Sequence, residues 1–327
     1  MSNITGTLDG APAPKVRPRR PGAPKTPRTK RRIQQRTAGD WAVDIVLGVL
    51  IALILAAVIY PLWFIVVASF SDPRAVATGE VTLLPQGFGL TGYEMILADD
   101  RIWTGYRNTI LYSVLGTAVN LLVTLPAAFA MSRREFRPRR IIMFLFAFTM
   151  FFGGGLIPMF LLVKQLGLLN NMWVFILPTA FSVFNMIIAR SFFETSIPEE
   201  LREAAALDGL SYFGYFLKIV IPLSSAIIAV IGLYYFVGHW NDFFTGLIFI
   251  RDQELQPLQN VLQQILMANQ SSAGAGGSLG QSAGDAQNLA DQIKFGVIIV
   301  STLPILVLYP MLQKYFNKGV MIGAVKG

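Results

Sequence analysis

Residues that could do chemistry are scarce in this chain, and their types exclude several kinds of site. The sequence has no Cys and a single His, His239, so it offers no thiolate and no cluster with the ligand spacing of a metal site. No G-x-x-x-x-G-K-[ST] stretch, the loop with which many ATPases hold phosphates, is present. The sequence therefore predicts a chain that binds no metal and no cofactor and that is not itself an enzyme.

The most informative polar residues form the segment 196–209, which lies between two apolar runs. It reads Ser-Ile-Pro-Glu-Glu-Leu-Arg-Glu-Ala-Ala-Ala-Leu-Asp-Gly and is too charged to cross a membrane. Ser196 and Glu199 match a capping box, with Pro198 in the first turn. Gly209 suits the position just past a helix end. We therefore expect a helix of about 12 residues on the cytoplasmic face.

This helix is expected to contact another protein. Ala204, Ala205 and Ala206 leave a bare surface that allows close approach, and Leu201 and Leu207 supply apolar contacts for a groove. The alternative is an amphipathic helix that rests on the membrane surface. Such a helix prefers a basic polar face, whereas this one is acidic with one Arg, so docking is favoured.

A second group of polar residues lies in or beside the apolar runs. Trp240, Asn241 and Asp242 could form a sugar-contacting patch, because an indole stacks on a pyranose ring while Asn and Asp bind hydroxyls. An aromatic residue of the membrane interface with polar neighbours is the alternative. Asn120 and Asn185 lie within apolar runs, where they would contact substrate or form interhelical hydrogen bonds.

The composition indicates which elements position these residues. The 327-residue chain is 54% hydrophobic and 14% charged, with a mean hydropathy of +0.54, which is typical of a helical membrane protein. Six apolar runs are each near or above the about 20 residues that cross a bilayer. They cover 42–70, 109–131, 141–163, 172–189, 219–237 and 295–312. We expect breaks at their Pro and Gly residues, which bundled helices tolerate.

The distribution of basic residues predicts the orientation. Of the 27 Lys and Arg residues, 21 fall in the tail, the 132–140 and 190–218 segments and the C-terminal end. The positive-inside rule then places both termini in the cytoplasm. Residues 1–40, rich in Pro, Lys and Arg, should be a disordered tail that touches lipid and not nucleic acid. On the outer side, the segment 238–294, which is rich in Gly, Ser and Gln near 270–288, is expected to be a mobile loop.

One pattern resembles a known family. Glu203-Ala204-Ala205, followed by Gly209, Ile219 and Pro222, resembles the EAA loop of permease subunits of ABC importers, with Ile221 where a Leu is commoner. The ending 317–327 and the stretch Trp240-Asn241-Asp242-Phe243 are similar to the carbohydrate-uptake branch, the maltose-type inner-membrane permeases. The resemblance covers most of 41–327, including a coupling segment 196–222, and excludes residues 1–40.

The resemblance implies an all-α fold with six transmembrane helices, the type I importer permease fold, and a cytoplasmic coupling helix. It implies a bacterial cytoplasmic membrane, a second permease chain that is distinct from this one, an external substrate-binding protein, and a dimer of ATPases that uses ATP and Mg. A carbohydrate, of the oligosaccharide kind, would enter by alternating access. The coupling residues would be Leu201, Glu203, Ala204, Ala205, Leu207, Asp208 and Gly209.

Other functions fit the sequence less well. The same machinery could move a non-sugar solute. A self-sufficient secondary transporter would show internal repeats or an intramembrane proton relay, and neither is seen. A membrane-embedded enzyme would need titratable residues that converge inside the bilayer, and the apolar runs lack them apart from Asp44 near the start of the first run.

Overall fold

A computed structural model describes residues 38–275, 293–307 and 310 of this chain, and the part described is helical, with no strand. The basic tail and the 317–327 ending lie outside these residues. The chain divides into two compact units, Met1–Ala56 and Ala57–Gly327. The first unit contains, among described residues, the N-terminal part of helix α1 (Ala38–Ser69). The functional-site residues described below belong to the second unit.

Helix α4 (Asp100–Ser132) is the central helix of the second unit. It runs for 33 residues, starting well before the predicted run at 109–131, because Asp99 caps its N-terminus by accepting a hydrogen bond from the Arg101 amide. Two short helices precede it, α2 (Pro73–Ala77) and α3 (Thr91–Leu97). Small and polar side chains line its buried face, at Gly105, Ser113, Gly116, Asn120 and Thr124 among others, which lets neighbouring helices approach closely.

Three of the six predicted runs are not single straight helices. Run 141–163 consists of α5 (Arg139–Phe151) and α6 (Leu156–Gln165), which meet at an angle of 112°. Run 172–189 contains a 3₁₀ turn (Met172–Phe175) and an irregular stretch before α7 (Val183–Ser196) begins. The cause is local, since Gly155 adopts a φ of 87° and Pro178 has no amide hydrogen to donate.

Run 219–237 is also broken. The chain forms α8 (Glu199–Leu207) and α9 (Tyr212–Tyr215), a π-helical turn (Phe216–Val220) and α10 (Ile221–Leu223), and then bends by 83° into α11 (Ser225–Trp240). Pro222 next to the π turn accounts for a break at this point. In the described residues, α1 and α4 are the two helices long and apolar enough to cross a membrane, and each bent pair passes the same test as one span.

The expectation of a mobile outer loop at 238–294 is wrong for residues 244–275, whereas residues 276–292, which contain much of the Gly-, Ser- and Gln-rich stretch, lie outside the described residues. Residues 244–275 form α12 (Phe244–Phe249), a 3₁₀ turn (Gln253–Leu255) and α13 (Leu258–Ala275). Helix α13 packs against α4, and its first amide, of Leu258, donates to the Thr109 hydroxyl at 2.8 Å. The prediction from composition failed because apolar side chains of α13 pack in the buried cluster that contains Ile102 and Trp240. Helix α14 (Ile293–Val307) follows.

Two hydrophobic clusters matter for function. The first lies where the second half of α4 meets α7, the start of α11 and the segment after α8; its buried residues include Phe129, Phe193, Ala205 and Tyr215. The second joins the start of α4 to α13 and α14 around Trp240. The polar groups described next lie beside these clusters, so their positions are fixed by packing.

Candidate functional site

Helix α8 is the charged helix that the sequence predicts between the fourth and fifth runs, although it is shorter than expected. It spans nine residues, and the predicted capping box is wrong. Ser196 is the last residue of α7, and Pro198 occupies the N-cap of α8 without a side-chain hydrogen bond. The carboxylates of Glu199 and Glu200 lie in the first turn, where the helix dipole favours negative charge.

The predicted helix end at Gly209 is confirmed. Gly209 has a φ of 76°, a left-handed conformation that other residues adopt at a cost. The Leu210 amide donates to the Ala205 carbonyl at 2.9 Å, and the Gly209 amide donates to the Ala206 carbonyl at 3.1 Å. This pair of bonds is the Schellman arrangement, which satisfies carbonyls at the end of a helix and reverses the chain.

The two faces of α8 differ. Glu203, Ala204, Leu207 and Asp208 are exposed, and Leu207 exposes 91% of its surface. One correction concerns Ala205, which was expected on the surface for close approach: it is 3% exposed and packs in the cluster of Phe193 and Tyr215. Residues 202 and 205 share the inner face because they lie three apart on a helix, so Ala204 and Ala206 are the alanines that remain accessible.

The inner face of α8 is attached to the turn between α4 and α5, residues 133–138. The Arg202 guanidinium donates to the carboxylate of Glu199 on its own helix and lies 3.0 Å from the carboxylate of Glu135 in the turn. Its third contact is the Tyr212 hydroxyl, at 3.3 Å. Hydrogen bonding to Glu199 raises the pKa of the Arg202 guanidinium above its ordinary value.

Arg133, at the end of α4, contacts α8 from the buried side of that helix. Its side chain is buried, with a relative exposure of 6%, and one terminal nitrogen lies 3.6 Å from a Glu199 carboxylate oxygen. Its other nitrogens donate to the Ser132 hydroxyl at 3.0 Å and to the Phe193 carbonyl at 3.2 Å. The guanidinium also lies 5.0 Å from the centre of the Phe129 ring. Arg133 therefore contacts α4, α7 and α8 simultaneously.

A second site is a cleft of about 920 Å³ between α7, α11 and the segment that follows α11. Three predicted substrate-path residues line it: Asn185, Asn241 and Asp242. Asp242 accepts a hydrogen bond from the Thr245 amide at 3.1 Å, and Asn241 donates to the Val237 carbonyl at 2.9 Å. Aromatic side chains, including Tyr234 and Phe244, form much of the remaining wall, so the cleft offers both hydroxyl-binding groups and ring faces.

Asn120 does not line this cleft and instead links helices. It is fully buried, its amide nitrogen donates to the Thr179 carbonyl, and its amide oxygen lies 2.7 Å from Nε2 of His239. An amide oxygen only accepts, so His239 donates through Nε2. Of the two roles open for Asn120, the structure shows interhelical hydrogen bonding. His239 itself lines the cleft. In the sequence, the one indication of such a role is that the single His of the chain stands beside polar residues.

The expectation that Trp240 stacks on a sugar is contradicted. The side chain is 1% exposed, its indole nitrogen donates to the Ser301 carbonyl at 3.1 Å, and its ring stacks on Phe236 at 6.0 Å. It points into the cluster between α4, α13 and α14, away from the cleft. Helical rotation explains the difference, because neighbouring residues point about 100° apart.

Comparison with known proteins agrees with this architecture. Residues 102–322 match the family described as "Binding-protein-dependent transport system inner membrane component". The chain is 39% identical over 269 residues to the polygalacturonan/rhamnogalacturonan transport system permease protein YtcP of Bacillus subtilis (strain 168), covering 82% of this chain and 93% of that protein. It is also 39% identical over 272 residues to Protein LplC of the same organism, covering 83% and 90% of the two chains.

A solved structure is similar over nearly its whole length. The crystal structure of a bacterial ABC transporter involved in the import of the acidic polysaccharide alginate contains a chain with 34% identity and a TM-score of 0.77. The match covers 86% of this chain and 99% of that one. The predicted resemblance to ABC importer permeases and the predicted type I permease fold are thereby confirmed. The chain belongs to the family of binding-protein-dependent transport system inner membrane components.

Proposed function

We propose that this chain is the transmembrane permease subunit of an ABC importer that moves an oligosaccharide into a bacterial cytoplasm by alternating access. A second, distinct permease chain, a dimer of ATPases and an extracytoplasmic binding protein would complete the importer. ATP and Mg belong to the ATPases. Both termini, and α8 with them, lie on the cytoplasmic side in this proposal, which rests on the distribution of Lys and Arg.

The observation that carries the proposal is the two-faced helix α8. Its inner face is fixed to the body of the protein by Arg133, Arg202 and Ala205. Its outer face presents Glu203, Ala204 and Leu207 to solvent. An exposed leucine beside a small residue and a carboxylate suits insertion into a groove of a partner protein. Membership of an ABC permease family makes the ATPase the natural partner.

The substrate class is supported by relatives and by the cleft. Relatives are named for polygalacturonan/rhamnogalacturonan, for arabinooligosaccharides, and for melibiose, raffinose and stachyose. The cleft lined by Asn185, Asn241 and Asp242 has hydroxyl-binding groups and aromatic walls. These groups suit a sugar, whose hydroxyls form hydrogen bonds and whose ring packs against aromatic faces. We propose these three residues as substrate contacts.

The docking role is tested with purified complexes of the two permease chains and the ATPases in proteoliposomes. Full burial of a leucine side chain is worth about 1.5–3 kcal/mol, and a loss of about 1.4 kcal/mol is tenfold in affinity. Leu207→Ala and Glu203→Ala should therefore weaken ATPase retention and ATP-dependent uptake while membrane insertion stays normal. Glu94→Ala, on exposed Glu94 of α3, is the control and should behave as wild type. Unchanged retention in both α8 variants would refute docking through this face.

The substrate class is tested by growth of a strain that lacks the chain, across a panel of carbohydrates. Selective loss of growth on one class of oligosaccharide, restored by the wild-type chain, is the expected result. If the strain grows normally on every carbohydrate but loses uptake of another solute, the transported substrate is that solute and not a sugar.

A further inference from the structure

The cytoplasmic end of the second unit contains two ion pairs that cross between the same two elements. Helix α8 supplies an acid, Glu199, to the buried Arg133 at the end of α4, at 3.6 Å. It also supplies a base, Arg202, to Glu135 in the α4–α5 turn, at 3.0 Å. The two ion pairs have opposite polarity and use α8 residues three apart, which lie on the same face of the helix.

The Arg133 end of this connection is desolvated, which separates it from ordinary surface ion pairs. The terminal nitrogen that faces Glu199 is buried and has no hydrogen-bond partner among the described residues. The carboxylate of Glu199 therefore supplies the compensating charge for a group that water does not reach. Arg139 adds to the rigidity of the turn, since it donates to the Arg133 carbonyl at 3.4 Å and lies 4.0 Å from Glu194 of α7.

Helix α4 connects this end to the cleft region. From Arg133 it continues as one helix to Asn120, which binds His239 of the cleft wall, and to Thr124, whose hydroxyl lies 2.7 Å from the Tyr235 hydroxyl. Tyr235 in turn accepts a hydrogen bond from the Ser182 amide at 3.0 Å. His239, Tyr235 and Ser182 all line the cleft. Buried polar bonds therefore connect α4 to the cleft wall.

We propose that Arg133 is a positioning residue that transmits movement of α8 to α4 and from there to the cleft wall. Glu199 is its partner, and the Arg202–Glu135 pair is the second attachment. This inference rests on the proposed function, since it presumes that an ATPase moves α8. It adds a route within this chain: the movement enters α4 directly through the ion pairs, as well as through the covalent connections of α8 to α7 and α9.

The experiment uses the complete importer in proteoliposomes and measures uptake per ATP hydrolysed. The variants are Arg133→Met, Glu199→Gln and their combination, with Arg202→Gln and Glu135→Gln for the second attachment. Arg137→Met is the matched control, because Arg137 is an exposed arginine of the same turn. Mutations along a coupling route change the coupling by about 2- to 30-fold, so Arg133→Met and Glu199→Gln should each lower uptake per ATP by about twofold or more.

The combined variant distinguishes a specific pair from general damage. If Arg133 and Glu199 act together, the double variant should be no worse than the worse single variant. Thermal unfolding and subunit retention report structural loss separately. If Arg133→Met fails to assemble, a comparison of Glu199→Gln with Arg202→Gln decides, because Glu199 contacts both arginines whereas Arg202→Gln leaves the Arg133 pair intact.

Each outcome has a defined meaning. Normal uptake per ATP in Glu199→Gln and in every assembled Arg133 variant, with an active wild-type complex, would overturn the positioning role and leave the proposed function standing. Additive losses in the double variant would also overturn the paired action. A wild-type complex without ATP-dependent uptake would overturn the proposed function itself.

Discussion

At the residue scale, buried polar groups fix how the helices meet. His239 and Asn120 bind each other at 2.7 Å between α11 and α4. This contact exists because Gly116 faces the imidazole: a Cβ there would lie 2.4 Å from Nε2 of His239. The absence of a side chain at Gly116 therefore makes room for the hydrogen bond between His239 and Asn120. The cleft wall depends on both features.

Gly116→Ala should consequently destabilise the protein. The added methyl group forces the imidazole away from Asn120, and overpacking of this kind costs about 1–3 kcal/mol. Gly238→Ala is the control, because nothing lies within 4 Å of a Cβ at Gly238 and Gly-to-Ala in a helix is neutral or favourable. Thermal unfolding in detergent should show a lower midpoint for Gly116→Ala only. Combining it with His239→Ala should recover part of the loss, and equal midpoints for the two glycine variants would refute this explanation.

At the element scale, the functional helices are short because the chain breaks at defined points. Helix α8 ends where Gly209 turns left-handed, and the third run bends by 112° at residues 152–155. The sequence marks the second break with Gly153, Gly154 and Gly155, but these three positions are not equivalent. Only Gly155 has a positive φ, of 87° with ψ of 176°, which is a region that essentially only glycine occupies.

Substituting the three glycines should separate their roles. Gly155→Ala should cost about 1–3 kcal/mol, because it forces an alanine into that region. Gly153→Ala should be close to neutral, since its backbone has no positive φ and a Cβ there meets nothing within 4 Å. Thermal midpoints of the two variants in detergent provide the comparison. If Gly153→Ala proves as damaging as Gly155→Ala, the backbone conformation at Gly155 is not what holds the bend.

At the scale of the whole molecule, function depends on which side of the membrane each element faces. Arg133, Arg134, Arg137, Arg139 and Arg140 lie in or next to the α4–α5 turn, beside α8, and the positive-inside rule assigns this end to the cytoplasm. Few basic residues lie near the C-terminal end of α11, and Arg251 is one of them. The importer proposal requires this orientation.

Labelling can test the orientation cleanly, because the natural sequence has no Cys. Glu203→Cys on α8 and Glu254→Cys after α12 introduce single thiols at exposed positions. A membrane-impermeant maleimide applied to intact spheroplasts should label Glu254→Cys alone, and inside-out vesicles should label Glu203→Cys alone. The cysteine-free parent is the control for background. The reverse pattern would invert the topology and remove α8 from reach of cytoplasmic ATPases.

The sequence by itself determined the features that depend on neighbouring residues. Apolar composition indicated membrane helices, because hydrocarbon excludes unsatisfied backbone groups. Gly209 marked the end of α8, because a left-handed backbone conformation acts within one turn, whereas the start predicted at Ser196 was wrong.

Tertiary structure decided everything that depends on a partner distant in the chain. Trp240 turns inward to the Ser301 carbonyl, Asn120 binds His239, and Arg133 meets Glu199, across separations of 61, 119 and 66 residues. Periodicity cannot reveal these contacts, because which face of a helix is buried, and against which neighbour, follows from how all the helices pack together.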